Sequence, residues 1–295
     1  MRRRALSRRD FLATIGAASV AALAPPVPSS GQQLPRVGLG SWLTFNVGDD
    51  VAARDECTEV MRAFFAGGGR HIDSSPMYGS SQAVIGYGLA RLGRPKELFA
   101  ADKVWVGSGD AGPGQIEESR RHWGVERFDL LQVHNLMAWQ EHLPTLREMK
   151  AAGRLRYVGV TTSHGRRHDE LERILRSEKL DFVQLSYSAA TRDVEARLLP
   201  LARDRGVAVI VNRPFEQGDL IRRVERHPLP QWAREIGCAT WAQLLLKFVV
   251  SHPAVTCAIP ATSQVAHVRE NLAAAADPLP DEAMRRRIVT SIEAL

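Results

Sequence analysis

The fold assignment depends on the order of apolar and polar residues in one stretch, Gly68-Gly69-Arg70-His71-Ile72-Asp73-Ser74-Ser75-Pro76-Met77-Tyr78-Gly79. A short apolar strand ends at Asp73, a turn follows, and Tyr78 comes five residues after the carboxylate. A second apolar strand ends on Lys103, and a third is followed directly by His134. Four proton-handling side chains thus lie at or just past the carboxyl ends of successive strands. A parallel α/β barrel gathers its chemistry at these ends.

The rest of the chain continues this alternation of strand and helix. Short apolar segments predict eight strands, over residues 36–42, 70–73, 98–103, 128–133, 157–161, 182–185, 207–211 and 255–259, with helical patterns between them. This order predicts βα units and a parallel sheet. A doubly wound sheet is the second candidate, but no Gly-x-Gly-x-x-Gly follows a strand. We therefore predict one (β/α)8 TIM barrel over residues 34–295, with an extra C-terminal helix over residues 282–294.

The first thirty residues differ in composition from the rest. They hold five arginines and one acid, so four of the six net positive charges lie there. Ser7-Arg8-Arg9-Asp10-Phe11-Leu12 resembles the twin-arginine (Tat) export motif, and a weakly apolar run of small residues follows it. Residues 25–31 are rich in Pro and Ser and predict a flexible linker. We expect residues 1–30 to be a signal peptide and linker, and the protein to be exported to the periplasm by the twin-arginine machinery. A basic disordered terminus is the alternative.

Composition argues against several other classes of protein. The sequence contains no run of eighteen apolar residues, so no integral membrane span is expected. Outside the first thirty residues the net charge is only about +2, and no basic run interleaved with aromatics predicts nucleic-acid binding. The three cysteines, Cys57, Cys238 and Cys257, are widely spaced and predict neither a disulfide framework nor a zinc site. The pair His164 and His168 has helical spacing, but arginines separate the two, and we expect no metal.

The set Asp73, Tyr78, Lys103 and His134 resembles the catalytic pattern of the aldo-keto reductase family, and the resemblance extends from about residue 34 to about residue 276. It implies an NAD(P)H-dependent oxidoreductase that reduces aldehydes or ketones to alcohols, or runs the reverse reaction. Tyr78 would be the proton donor, and the charge of Lys103 would favour its phenolate. Asp73 would hold the lysine in an ion pair, and His134 would bond the substrate oxygen.

The resemblance also implies the residues that contact the cofactor. They are Thr161 and Thr162 after strand five, Gln184 in strand six, Asn212 and Arg213 after strand seven, and Thr262, Ser263, Gln264, Glu270 and Asn271 around the last βα unit. The family often has basic residues where Ala261 and His267 stand here. Both basic residues are missing here, but Thr262, Ser263 and Gln264 could still bind a 2′-phosphate, and Arg269 is near in sequence. NADP is the expected cofactor, with NAD as the alternative. A helix start near residue 265 would offer free N–H groups to a phosphate.

The resemblance places four apolar residues around a small carbonyl or alcohol substrate: Trp42, Phe45, Met77 and Trp105. Plain core packing is the alternative interpretation of each. A different functional class also stays open, a redox-sensing barrel that keeps the cofactor but has no significant turnover. The intact catalytic set favours the enzyme.

Overall fold

Eight short strands run parallel to one another in sequence order. The computed structural model describes residues 23–295. The strands are β1 (Leu39–Gly40), β2 (His71–Asp73), β3 (Phe99–Val104), β4 (Phe128–Val133), β5 (Leu155–Thr161), β6 (Phe182–Ser186), β7 (Ala208–Asn212) and β8 (Cys257–Ala258). Parallel bridges from Val37 to Ala258 and from Gly40 to Ala261 join the last strand to the first. The sheet is thereby closed, and the predicted barrel is confirmed.

Helices connect the strands and form the outer layer. They are α1 (Val51–Ala66), α2 (Ser81–Arg91), α3 (Gly112–Trp123), α4 (Trp139–Ala151), α5 (His168–Ser177), α6 (Leu198–Asp204), α7 (Asp219–Val224), α8 (Trp241–Val250), α9 (Val265–Ala273) and α10 (Glu282–Glu293). Side-chain hydrogen bonds cap the first turns of two of these helices. The Asp50 carboxylate accepts the Ala53 N–H at the start of α1, and Thr240 accepts the Gln243 N–H at the start of α8. None of the helices within residues 23–295 is long and apolar enough to cross a membrane.

The strands are buried on both faces, so the protein has two apolar clusters. The larger lies between strands and helices. The smaller fills the amino-terminal half of the barrel interior and includes Phe99, Tyr157 and Phe182. Near the opposite end the interior becomes polar, because Asp73, Lys103, Gln132 and Gln184 project into it. The fold therefore separates an apolar end from an end equipped for chemistry.

The segment from residue 23 to 35, which we call the N-terminal hairpin, corrects the prediction of a flexible linker. Leu23 pairs antiparallel with Pro35, and the Ala24 N–H donates to the Leu34 carbonyl at 2.8 Å. Val27 is fully buried in the interior cluster, and the Ser30 hydroxyl lies 2.6 Å from the Tyr157 hydroxyl. The hairpin closes the amino-terminal end of the barrel. The twin-arginine motif lies outside the described residues.

Two other differences concern the length of elements. The short helix α7 was not predicted, and the helical pattern after strand six divides into a 3-10 turn at Asp193–Glu195 and α6. The extra C-terminal helix is present as α10. Its Arg285 side chain contacts the Tyr187 hydroxyl and the Glu195 carboxylate, which attach α10 to the outside of the barrel.

Candidate active site

Asp73, Lys103 and His134 meet at the carboxyl ends of β2, β3 and β4, as predicted. The strand register aligns Asp73 with Ala101, two residues before Lys103, so both side chains point into the barrel. The Lys103 ammonium forms an ion pair with the Asp73 carboxylate and donates to the Ser74 carbonyl at 2.7 Å. Both side chains are almost wholly buried. Burial opposes the charge on Lys103, but Asp73, Tyr78 and Asp102 together outweigh it, and the pKa of Lys103 is raised.

Tyr78 lies over this ion pair. The Lys103 ammonium is 5.2 Å from the centre of the Tyr78 ring. The ring meets His134 edge to face, with 5.7 Å between centroids, and Trp42 lies 6.5 Å away. Burial raises the pKa of Tyr78, whereas Lys103 acts to lower it. The contribution of Lys103 therefore has the predicted sign, but burial is larger and keeps the phenol protonated at neutral pH.

His134 is a neutral ring. Burial and the nearby charge of Lys103 lower its pKa to about 2. Its Nδ1 lies 2.7 Å from the Ser75 hydroxyl, and Ser75 is completely buried. A ring that stays neutral can donate a hydrogen bond from only one nitrogen. His134 can therefore orient an oxygen but cannot supply a proton at neutral pH.

Two glutamines in the barrel interior hold the second Asp73 oxygen. Gln132 Nε2 donates to it at 3.3 Å, and Gln184 Nε2 donates at 3.0 Å. The Gln184 amide oxygen accepts from the Asn212 side chain at 3.3 Å. Gln184 was predicted to contact a nicotinamide, but here both ends of its amide bond to protein. Gln132 was not predicted, although its place two residues before His134 puts its side chain on the inner face of β4.

The residues expected near a nicotinamide differ in what they contact. Thr161 Oγ1 accepts the Asn135 N–H at 3.0 Å and so holds the turn after β4. Thr162 Oγ1 is buried without a partner in the described chain. Asn212 donates to the Thr162 carbonyl at 3.0 Å. Because a buried hydroxyl without a partner is costly, Thr162 fits a polar ligand such as a carboxamide.

The residues expected near the adenosine end lie around the start of α9. Thr262 Oγ1 accepts the Gln264 N–H at 3.0 Å and lies 3.3 Å from His267 Nδ1. Ser263 and Gln264 are exposed, Asn271 is buried, and Glu270 bonds the Thr240 hydroxyl. Beside Ser263 is a cleft of about 490 Å³ that is lined by three carboxylates of α1, those of Asp55, Glu56 and Glu59. Among the described residues, the lining of this cleft therefore offers carboxylates and no Lys or Arg side chain.

The predicted substrate residues divide into two groups. Trp42 and Trp105 are half-buried at the carboxyl end of the barrel, and Met77 is 37% exposed there. Both backbone groups of Trp105 bond the Gln115 amide, at 2.6 and 2.9 Å, so Gln115 positions that ring. Phe45, in contrast, is fully buried in the outer core and offers no surface to a substrate. For Phe45 the alternative of core packing is correct.

Arg213 and the residues around it form a polar rim beside Asn212. The Arg213 guanidinium contacts His164 Nε2, and His164 Nδ1 lies 3.0 Å from the Ser163 hydroxyl. Both His164 nitrogens are thus engaged by neighbours. Within residues 23–295 no group of three or more His, Cys, Asp or Glu side chains is arranged to hold a metal ion. The three cysteines are free and buried.

A closed parallel barrel with a buried Asp–Lys pair beneath a tyrosine and a neutral histidine defines a class of carbonyl reductases. Residues 36–288 match the sequence profile of the Aldo/keto reductase family. The chain belongs to this family, and it is an NAD(P)H-dependent oxidoreductase that interconverts carbonyl and alcohol groups.

Relatives and solved structures agree with this assignment. The chain is 27% identical to "Methylglyoxal reductase YeaE" of Escherichia coli over 83% of this chain and 87% of that protein. It is 28% identical to the "NADH-specific methylglyoxal reductase" of the same species, over 71% and 72%. An aldo-keto reductase from Klebsiella pneumoniae, solved in complex with NADPH, aligns with a TM-score of 0.77 at 26% identity, covering 92% of this chain and 95% of that one.

Proposed function

We propose that Tyr78 donates the proton in carbonyl reduction and that Asp73, Lys103 and His134 prepare it to do so. The single observation that supports this most strongly is the position of the Lys103 ammonium, paired with Asp73 on one side and 5.2 Å from the Tyr78 ring on the other. Carbonyl reduction leaves negative charge on oxygen. A tyrosine that loses its proton beside a fixed cation forms a stabilised phenolate.

The protonation states suit the direction of reduction. Burial keeps Tyr78 protonated, so the group starts as an acid. Lys103 stabilises the phenolate only after the proton has left, which is the differential stabilisation that catalysis needs. His134, neutral and next to Tyr78, donates a hydrogen bond to the same carbonyl oxygen. Two donors thereby orient the substrate.

A nicotinamide dinucleotide fits the polar residues at the carboxyl ends of β5, β6, β7 and β8. When bound, its reduced nicotinamide supplies a hydride to the substrate carbon. Thr162, with its unpartnered hydroxyl, and Gln184 and Asn212 beside it would hold the carboxamide. Arg213, Thr262, Ser263, Gln264, Glu270 and Asn271 would hold the rest. The Klebsiella pneumoniae neighbours solved with NADP and NADPH support a nicotinamide dinucleotide as the cofactor. NADP is the cofactor we propose, with NAD as the alternative.

The substrate we propose is a small aldehyde or ketone. Trp42, Trp105 and the exposed Met77 make the side of the site that follows β1, β2 and β3 apolar, which suits a carbonyl compound without large polar groups. Two relatives are methylglyoxal reductases by name. Methylglyoxal is therefore the first substrate to assay, with NADPH and NADH compared at equal concentration.

Tyr78→Phe tests the role of the proton donor. We expect kcat for methylglyoxal to fall by about 10²–10⁴-fold, because general acid catalysis has this magnitude. The dissociation constant of NADPH should not change. Tyr157→Phe is the matched control, because the Tyr157 hydroxyl bonds Ser30 and Gln32 at the amino-terminal end of the barrel, opposite to this site. Near-normal kcat in Tyr78→Phe would reject the assignment, and a wild-type chain without turnover would favour the redox-sensing alternative.

We further propose that the protein is exported in folded form by the twin-arginine machinery and works in the periplasm. The sequence Ser7-Arg8-Arg9-Asp10-Phe11-Leu12 supports this proposal. Arg8→Lys combined with Arg9→Lys keeps the charge but loses the paired guanidinium groups. We expect the folded reductase to stay in the cytoplasm. Arg2→Lys with Arg3→Lys is the control of equal charge, and unchanged periplasmic yield of the first variant in cell fractionation would reject the proposal.

A further inference from the structure

Ser75 makes a contact that the catalytic set does not explain. It lies in the turn between β2 and Tyr78, where its side chain is wholly buried. Its hydroxyl is 2.7 Å from His134 Nδ1, a contact between residues 59 positions apart. A buried serine at this distance forms a strong hydrogen bond to the ring. The His134 ring is therefore held at Nδ1 and directs Nε2 away from Ser75.

The direction of this hydrogen bond follows from the acceptors that the hydroxyl proton can reach. The Met77 N–H points at Ser75 Oγ at 3.4 Å, so the oxygen already accepts there. A hydroxyl has two lone pairs but one proton to donate, and among the described residues His134 Nδ1 is the acceptor in contact with it. A neutral imidazole that accepts at Nδ1 must have its own proton on Nε2. No described residue bonds Nε2, which leaves this N–H free for a ligand.

We infer that Ser75 is a positioning residue that selects the Nε2–H tautomer of His134 and so turns the histidine into a donor aimed at the substrate oxygen. This inference rests on the proposed function for the identity of that ligand. The tautomer itself is a property of the protein without substrate. The opposite tautomer would place a lone pair, rather than a proton, towards the carbonyl oxygen and would repel it.

Loss of the Ser75 hydroxyl removes the group that holds the ring. In Ser75→Ala we expect kcat/KM for methylglyoxal to fall about 10-fold, the effect of one buried hydrogen bond. NADPH affinity should be unchanged. Ser75→Thr retains a hydroxyl and should recover most of the loss. Ser119→Ala is the matched control, because it removes an equally buried serine hydroxyl from α3 and leaves His134 untouched.

The decisive measurement is the ¹⁵N NMR spectrum of the full chain with labelled histidines, where His134→Asn identifies the signals of His134. A protonated ring nitrogen and a bare one resonate far apart. We expect wild type and Ser119→Ala to show a proton on Nε2 alone at pH 7, and Ser75→Ala to show a mixture of tautomers. This readout does not depend on turnover.

The outcomes separate the two proposals. A wild-type proton on Nδ1 would overturn the inference, and so would an unchanged tautomer with unchanged kcat/KM in Ser75→Ala. If the wild-type spectrum shows the Nε2 proton and Ser75→Ala shows the mixture, the tautomer assignment is supported whether or not methylglyoxal is turned over. Absent turnover in wild type would defeat the proposed function alone.

Discussion

Two buried histidines make the stability of the protein sensitive to acid. His134 has a pKa of about 2, for the reasons given above, and burial lowers the pKa of His71 to about 4. Both ring nitrogens of His71 are buried without a partner in the described chain, and its ring packs edge-on against Phe99 at 5.2 Å. Neither ring takes up a proton at pH 5 in the folded state, whereas both would do so in the unfolded chain.

Lowering the pH from 7 to 5 should therefore reduce the free energy of unfolding. The unfolded chain binds more protons below the ordinary histidine pKa of about 6.5, so stability rises with pH in this window. Each histidine contributes about 2 kcal/mol of loss at pH 5. His71→Leu should remove one such contribution and add stability at pH 7, because no hydrogen bond is lost. Urea unfolding at both pH values measures this. His122→Gln, at an exposed histidine, is the control. If the free energy of unfolding of His71→Leu fell as much between pH 7 and pH 5 as that of wild type, the prediction would be contradicted.

For single residues, position relative to a strand end predicted where a side chain lies, but the sequence did not predict hydrogen bonds between residues far apart along it. Asp73, Lys103 and His134 were predictable because each ends a strand or follows one directly. The bond from Ser75 to His134 was not, since a serine in a turn has no pattern that names its partner. Phe45 was misassigned for the same reason. Its place after β1 suggested the rim, whereas packing against the outer helices buried it.

Two glycines in neighbouring helices have opposite surroundings. A Cβ on Gly86 of α2 would lie 1.9 Å from the His122 carbonyl oxygen, so α2 and α3 approach each other through this glycine. A Cβ on Gly114 of α3 would meet nothing within 4 Å. The close approach requires glycine at position 86, and position 114 has no such requirement.

The same substitution should therefore change stability in opposite directions at these two positions. Gly86→Ala should cost about 2 kcal/mol or more, because the two helices must separate. Gly114→Ala should add about 0.5–1 kcal/mol, because alanine loses less backbone entropy in a helix. Denaturant unfolding of the two variants, each the control for the other, measures both effects. Equal destabilisation by both would show that helix packing does not limit position 86.

The strand β4 was predicted to the residue, over 128–133. The helix α7 was not predicted, because a helix of six residues has too few turns to show a period. The strand β1 is much shorter than its apolar pattern suggested. Gly38 and Gly40 allow this segment to lie close to Ile259 on the adjacent segment of the barrel, but they add no side chains to a strand face.

At the scale of the whole molecule, the N-terminal hairpin completes the barrel. Val27 fills the end that the interior cluster leaves open. Val27→Ala should lower the free energy of unfolding by about 1.5 kcal/mol or more, since two buried methyl groups are lost. The active site lies at the other end, so kcat should stay the same. Val51→Ala, at an exposed valine of α1, is the control. Equal unfolding midpoints for both variants would show that the hairpin does not contribute to stability.

The hairpin was hidden from sequence analysis by its composition. Proline, serine and glycine are typical of linkers, and Val27 and Leu34 are the large apolar side chains of the buried face, beside the small Ala24. Two apolar residues seven positions apart form no period, so the pattern could not distinguish a packed hairpin from a free segment. The barrel itself was predictable because its eight units repeat one pattern.

The position of the hairpin gives the protein a definite orientation when it is attached to a surface through its amino terminus. Leu23 pairs beside the amino-terminal ends of the strands, and Tyr78 lies beyond their carboxyl ends. A surface, bead or electrode linked ahead of Leu23 would hold every molecule by the same pole, with the catalytic opening turned towards the bulk liquid. Immobilised reductase prepared in this way should keep its full access to aldehyde and nucleotide.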